Sequence, residues 1–383
     1  MKVLVIPVNA GGDLHPAVAV MLGMVERGHE VLAYAEHGAV HAMGPTGIDT
    51  VTSPRELDFS TQLLEDMKHA REHHDGSPAD VLRATLRAYS QAQAGAAREQ
   101  VFERFRPDVV VTSLVGAGIA EQLRVVGDVR SCVVNSDFYI GPDPPRPREQ
   151  DFDERSLPEI DYLGDCMQRA DLVLHAVDPE FDFGHDSLPE HNHYVGPLIW
   201  EKPLAVPKYL AEPGDPWALV AISTQKQDDT AIARLSMEAL ENQPVRILET
   251  IGGGHRAKEL GHLPANAHVE HFAPHSAVLE QARVTVTHAG IGSVTKSLWY
   301  GVPLVLVPWG RDQPGVAARA QRLGAARIVD RSSLTRDAID VALHEVLDDP
   351  SYAQAARSIS ERWQQLDPVA AACERLEKLA LAR

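Results

Sequence analysis

Short apolar runs alternate with stretches whose apolar positions recur at helical spacing over most of the chain. In the first half the strand-like runs are "KVLVIPV", "HEVLAYA", "DVVVTS" and "RSCVVNS". Between them lie the amphipathic stretches "PAVAVMLGMVERG" and "GAGIAEQLRVVG" and a long mixed region from Ser60 to Arg106. The grammar restarts at "WALVAIST" and continues through "VRILETIG", "VTVTHAG", "PLVLVP" and "ARIVD", with helical stretches such as "TAIARLSMEAL" and "SVTKSLWYG" between them. Strands apolar on both faces, separated by helices, are parallel strands covered on both sides. The pattern therefore predicts an α/β protein of two tandem doubly wound, Rossmann-like domains facing across a cleft.

Recurrent prolines without a sustained period in "YVGPLIWEKPLAVPKYLAEPGDPW" mark the boundary. The expected division is a first domain over 1–200, a linker over 201–216, a second domain over 217–360 and a C-terminal helix over 361–383 that packs back towards the first domain. The helical spacing from Tyr352 to Leu379 is broken at Asp367-Pro368, which predicts two helices and a bend. The stretch "PDPPRPREQDFDERSLPEID", residues 142 to 161, reads as a surface loop.

Charge and composition narrow the chemistry. A net charge of −18 argues against nucleic acid, whose phosphates need basic patches. No apolar run approaches a membrane span, the opening residues lack a secretory pattern, and three scattered cysteines give neither a disulfide framework nor a zinc spacing. A cytoplasmic protein without membrane anchoring is expected.

The most informative segment is "VTHAGIGSVTKSLWYGVPLVLVPWGRDQ". A strand ends at His288, Gly290 and Gly292 let the chain turn and approach a ligand, and a helix begins with Ser293 in its first turn. The free amides and positive dipole end of such a helix hold an anion, and His288 can add a hydrogen bond. Asp312 and Gln313 follow the next strand and offer an acceptor-only carboxylate beside an amide that donates and accepts, a pair suited to sugar hydroxyls. A diphosphate at a helix start with a polyol beside it describes a nucleotide sugar. Two glycines and a histidine alone would also make an ordinary strand-to-helix turn.

These residues resemble the donor-site signature of bacterial natural-product glycosyltransferases of the antibiotic and macrolide type, which have the GT-B fold. "GDLHP", "ERGHEV", "YVGP", "AIST", "LPANAHVEHFAPHSAVL" and the 288 motif follow the family's order over the whole chain. The resemblance implies that His288, Gly290, Gly292 and Ser293 hold the pyrophosphate and that Asp312 and Gln313 hold the sugar. It implies further that Ser223 and Thr224 close on the phosphates, and that Phe272 and Ala273 lie under the nucleobase, where Phe272 could otherwise be ordinary core. Relatives using ribonucleotide sugars often place a glutamate where this chain has Lys296. A donor lacking the 2′-hydroxyl, a dTDP-sugar carrying a deoxysugar, is the expectation, with UDP-glucose as the alternative.

In "PVNAGGDLHP", Asp13 stands where many relatives have histidine and a subset resembling the glycopeptide-antibiotic enzymes has aspartate. The resemblance makes Asp13 the base of an inverting displacement, with His15 a partner or second base. Asp13 could instead cap the helix that starts near Pro16. Asp137 and Asp143 follow a first-domain strand and are candidates for the acceptor pocket. Neither the Asp151–Asp153 pair nor His69, His73 and His74 reads as a metal site, so the expected enzyme needs no metal and no cofactor beyond its nucleotide-sugar co-substrate. Its expected partners are that sugar and a small-molecule acceptor, with a homodimer left open. An epimerase of the same fold, or a non-catalytic sugar-nucleotide-binding partner of another transferase, are the competing readings.

Overall fold

The computed structural model describes residues 1–73, 78–139, 158–182, 188–224 and 227–382. The chain divides into two compact units, Met1–Trp200 with Asp367–Arg383, and Glu201–Leu366.

The first unit is built on a parallel sheet of β1 (Lys2–Ile6), β2 (Glu30–Ala35), β3 (Thr50–Thr52), β4 (Val109–Ser113), β5 (Arg130–Asn135), β6 (Leu172–His175) and β7 (Asn192–Tyr194), in the order β3-β2-β1-β4-β5-β6-β7. The second has β8 (Trp217–Ala221), β9 (Arg246–Thr250), β10 (Ala267–Glu270), β11 (Ala282–Thr287), β12 (Leu304–Leu306) and β13 (Ala326–Ile328), ordered β10-β9-β8-β11-β12-β13. The order reverses beside β1 and β4 in one sheet and beside β8 and β11 in the other. In open parallel sheets ligands bind at the carboxyl ends of the strands at such a switch point. Strands such as β4 and β8 are buried at every residue, which is why they read as unbroken apolar runs.

Four strands escape the sequence pattern. β3 and β7 are only three residues long, β10 is half-buried throughout, and β6 ends in the polar His175. The expected surface loop over 142–161 is corrected at its end, since Pro158 opens the helix Pro158–Gln168; residues 140–157 lie outside the described residues.

The segment expected to be a linker packs instead on the second unit. Leu210 is buried against Trp217, and the Arg246 guanidinium stacks on that indole at 4.3 Å. The same guanidinium donates to the carbonyls of Asp215 at 2.7 Å and Glu212 at 2.6 Å, so the prolines mark a strap rather than a free tether.

The C-terminal boundary also differs from the sequence reading. The helix Pro350–Gln364 belongs to the second unit, and the chain returns to the first at Asp367. There the helix Pro368–Leu381 contributes Ala372, Cys373 and Leu376 to the core. It lies so close to the helix Leu14–Glu26 that a Cβ on Gly23 would sit 2.3 Å from Val369 Cγ1. Among the described residues no helix is long and apolar enough to cross a membrane.

Candidate active site

In the second unit β11 delivers His288 to the switch point, and the helix Ile291–Trp299 begins three residues later. Gly290 is its N-cap, no side chain caps it, and its first turn carries no acidic residue. The amides of Ser293 and Val294 return to the Gly290 carbonyl at 3.0 and 3.1 Å. An α-helix start leaves amides unsatisfied by the helix itself, and among the described residues no side chain caps this one.

The glycines act differently from expectation. The left-handed residue of the turn is Ala289, at φ 67, a conformation that costs a non-glycine residue about 1–2 kcal/mol. Gly290 has ordinary extended dihedrals; its lack of a side chain matters because a Cβ there would lie 2.5 Å from His288 Nε2. The imidazole is thus laid over the helix start. Its Nδ1 faces Thr287 Oγ1 at 3.2 Å and the Ala221 carbonyl at 3.4 Å. A carbonyl only accepts, so the contact to Ala221 puts a proton on Nδ1. Burial holds the His288 pKa below its ordinary value, with the Asp229 charge acting in the opposite direction.

Behind this turn lies a polar cluster that the sequence reading missed. Asp229 is fully buried, and its Oδ2 accepts from Ser223 N and Gln227 Nε2, both at 2.9 Å. His255 Nε2 stands 3.4 Å from Asp229 Oδ1. Glu249, on β9, is also fully buried, and neither carboxyl oxygen has a hydrogen-bond partner. Burial, reinforced by the Asp229 charge, pushes the Glu249 pKa well up. A lone Glu in "RILET" and an Asp just before a helix carry no sequence signal that would single them out.

Ser223 is buried while Thr224 is exposed, so only Thr224 presents its side chain outward after β8. Asp312 is half-buried and stands as N-cap of the helix Gln313–Arg322. The expectation for Gln313 needs correcting. Its Oε1 accepts from Trp309 N at 2.8 Å and Gly310 N at 3.1 Å, and its Nε2 donates to Gln227 Oε1 at 3.1 Å. Most of that amide's capacity thus goes into building the turn, because Gln313 is only 2% exposed. Phe272 is 55% exposed and faces Gly253, which rules out a core role, whereas Ala273 belongs to the core. Lys296 is tied to Glu201 at 3.2 Å; the same carboxylate accepts from the amides of His275 and Ser276 at the start of the helix His275–Leu279.

In the first unit Asp13 is 4% exposed and does not cap its own helix. Its Oδ1 accepts from Leu114 N and Ser136 Oγ, both at 2.9 Å, and its Oδ2 from Val115 N at 3.0 Å. The carboxylate therefore sits at the turn after β4, where the short 3-10 helix Leu114–Gly116 leads into the helix Ala117–Gly127. Burial raises its pKa above that of an ordinary aspartate, opposed by these hydrogen bonds. His15 Nδ1 meets the Trp200 carbonyl at 2.9 Å, which places the proton there and makes Nε2 the basic nitrogen. Asp137 is buried and folds back so that its Oδ1 accepts from Phe138 N at 3.0 Å. Asp143, the Asp151–Asp153 pair and His74 lie outside the described residues, and His69 is exposed on the helix Phe59–His73. Among the described residues no group of three His, Cys, Asp or Glu side chains is placed to hold a metal ion.

The chain is similar to several known proteins. Residues 235–376 match the family described as erythromycin biosynthesis protein CIII-like, C-terminal domain. The whole chain is similar to 4'-demethylrebeccamycin synthase of Lentzea aerocolonigenes, at 26% identity over 99% of each chain. Among solved structures, the glycotransferase of kitacinnamycin superposes with a TM-score of 0.78 at 23% identity over 99% of each chain. Glycosyltransferase VinC in complex with DTDP superposes with a TM-score of 0.72 at 20% identity, covering both chains fully.

Proposed function

We propose that this chain, a glycosyltransferase of the bacterial natural-product family with the GT-B fold, moves a sugar from a dTDP-sugar to a hydroxyl of a small secondary metabolite, inverting the anomeric centre without a metal. The observation that carries the reading is the uncapped start of the helix Ile291–Trp299 at the switch point, with His288 laid over it. A diphosphate there receives the helix amides and the positive end of the dipole. Its charge also favours the imidazolium, so His288 takes up a proton as the nucleotide binds and donates from Nε2 to the leaving oxygens. Preorganised donors of this kind stabilise the charge that develops as the glycosidic bond breaks.

The exposed Phe272 ring offers a face to the base, and Asp312 accepts from sugar hydroxyls. Gln313 fixes the turn on which Asp312 stands, leaving one N–H for the sugar. The Lys296–Glu201 ion pair supports a thymidine donor, because position 296 carries an ammonium rather than a carboxylate, and the Glu201 carboxylate beside it is taken up by Lys296 and by the amides of His275 and Ser276 rather than offered to a ribose diol. That VinC was solved with dTDP agrees with the same choice.

On the first unit, Asp13 takes the acceptor's proton while oxygen attacks the anomeric carbon and the diphosphate departs from the opposite face. Its raised pKa makes it a stronger base than a solvated aspartate. A second reading is favoured by the His15–Trp200 contact: the imidazole is fixed in the tautomer of a base, with Nε2 to receive the proton. The pH–rate profile separates the two, since removal of His15 leaves an acid limb set by a carboxylate, and removal of Asp13 leaves one set by an imidazole.

Calorimetry with dTDP-glucose and UDP-glucose in the presence of EDTA tests the donor. Tighter dTDP-glucose binding is expected. Preference for UDP-glucose overturns the thymidine choice, and binding that requires a divalent ion overturns the metal-independent mechanism.

A further inference from the structure

Arg311, between β12 and the helix Gln313–Arg322, is held in a strained and specific way. Its backbone is left-handed, at φ 58, which costs a non-glycine residue about 1–2 kcal/mol and persists only where its surroundings impose it. The surroundings are visible. Gln313 Oε1 binds the amides of Trp309 and Gly310 from one side. From the other, Arg331 lies over the Trp309 ring at 4.0 Å and donates to its carbonyl at 3.0 Å. The Arg311 guanidinium then reaches the loop after β8, where Nη2 donates to Gln227 Oε1 at 3.1 Å. Gln227 is itself anchored through Nε2 to the buried Asp229.

This partner is neutral. The chain has 54 acidic residues against 36 lysines and arginines, yet among the described residues no carboxylate pairs with Arg311. The guanidinium is thus directed but not neutralised, on a turn beside the His288 switch point. Its charge reaches His288, where it disfavours the imidazolium.

We propose that Arg311 is a diphosphate-binding residue of the donor site and that Gln227 is the positioning residue that aims it. A planar guanidinium carries five donors in a fixed fork matched to phosphate oxygens, and one bond to Gln227 leaves the rest of the fork available to an anion. Tethering it before binding lowers the entropy cost of the contact. The inference rests on the donor reading of the second unit and extends it to two residues outside the glycine-histidine motif.

The test compares dTDP with thymidine by calorimetry on wild type, Arg311→Gln, Arg311→Lys and Gln227→Ala, with thermal melts as the folding control. Arg311→Gln should weaken dTDP about tenfold and leave thymidine unchanged, and the difference should narrow at high salt as screening grows. Arg311→Lys should recover part of the loss, and Gln227→Ala should weaken dTDP a few-fold by releasing the guanidinium. Equal losses for dTDP and thymidine, or unchanged dTDP binding in Arg311→Gln, overturn the assignment. A wild-type protein that binds neither compound overturns the donor reading itself, a result distinct from either.

Discussion

The two units share a sheet order over six strands and differ in what they do with the helix start after the fourth of them. In the first unit that position follows β4, and the protein supplies its own anion: Asp13 binds the amides of Leu114 and Val115. In the second it follows β11, and the helix Ile291–Trp299 begins with a glycine cap and no acidic side chain. One corner is capped by a carboxylate from elsewhere in the unit, and the other has no side-chain cap. Identical topology therefore does not fix what occupies a helix start; one carboxylate, present in the first unit and absent from the second, separates the two corners, and on the donor reading proposed above it leaves the second to a diphosphate. The cost is legible in both places. Asp13 is a buried charge that needs every donor it has, and the open corner carries a left-handed alanine and an imidazole with depressed basicity.

The largest effect expected from breaking this contrast is at Asp13. Asp13→Asn should lower turnover by roughly a thousandfold, the scale of a lost general base. It should also lower Tm, because an amide cannot accept from both Leu114 N and Val115 N while keeping the Ser136 bond. Nucleotide binding, measured by calorimetry, should be unchanged.

Next is the converse substitution, which fills the open corner. Ser293→Asp places a carboxylate in the first turn, where it should raise Tm slightly through the helix dipole, about 0.3–1 kcal/mol. The same charge should weaken dTDP about a hundredfold. Ser293→Asn, isosteric and uncharged, should lose far less.

Phe272→Ala should weaken dTDP several-fold with no change in Tm, since the ring is largely exposed and its loss leaves no cavity. Smallest is the buried acid beneath the site. Glu249 is held protonated well above its unfolded pKa, so folding takes up a proton and stability falls as pH rises from the unfolded value towards the folded one. Glu249→Gln should therefore raise Tm by a few degrees near neutral pH, a gain that shrinks towards pH 4.5 in parallel melts.

Much of this was legible because strands buried on both faces announce themselves as apolar runs, and because His288, Gly290 and the following helix are adjacent in sequence. The parts that were not legible arise from tertiary contacts. Asp13, taken in isolation, reads as a cap for its own helix, the alternative to its role as base, but its partners lie about a hundred residues away at Leu114 and Val115. Gln313 carried the right donors and acceptors for a sugar, yet only the fold shows that Trp309, Gly310 and Gln227 take most of them. Asp229, Gln227 and Glu249 are ordinary residues in ordinary positions until the sheet brings them under one turn. The strap over 201–216 read as a linker because proline suppresses periodicity, and periodicity is blind to the packing of Leu210 and Arg246.

The central claim, that one helix start is filled and its counterpart open, is tested most directly by adding inorganic pyrophosphate to isotope-labelled protein and following backbone amides by NMR. Shifts are expected at Ile291, Gly292 and Ser293, produced at the same amides by dTDP but not by thymidine, with none at Leu114 or Val115. Silent amides at 291–293, or shifts at 114 and 115 instead, would contradict it.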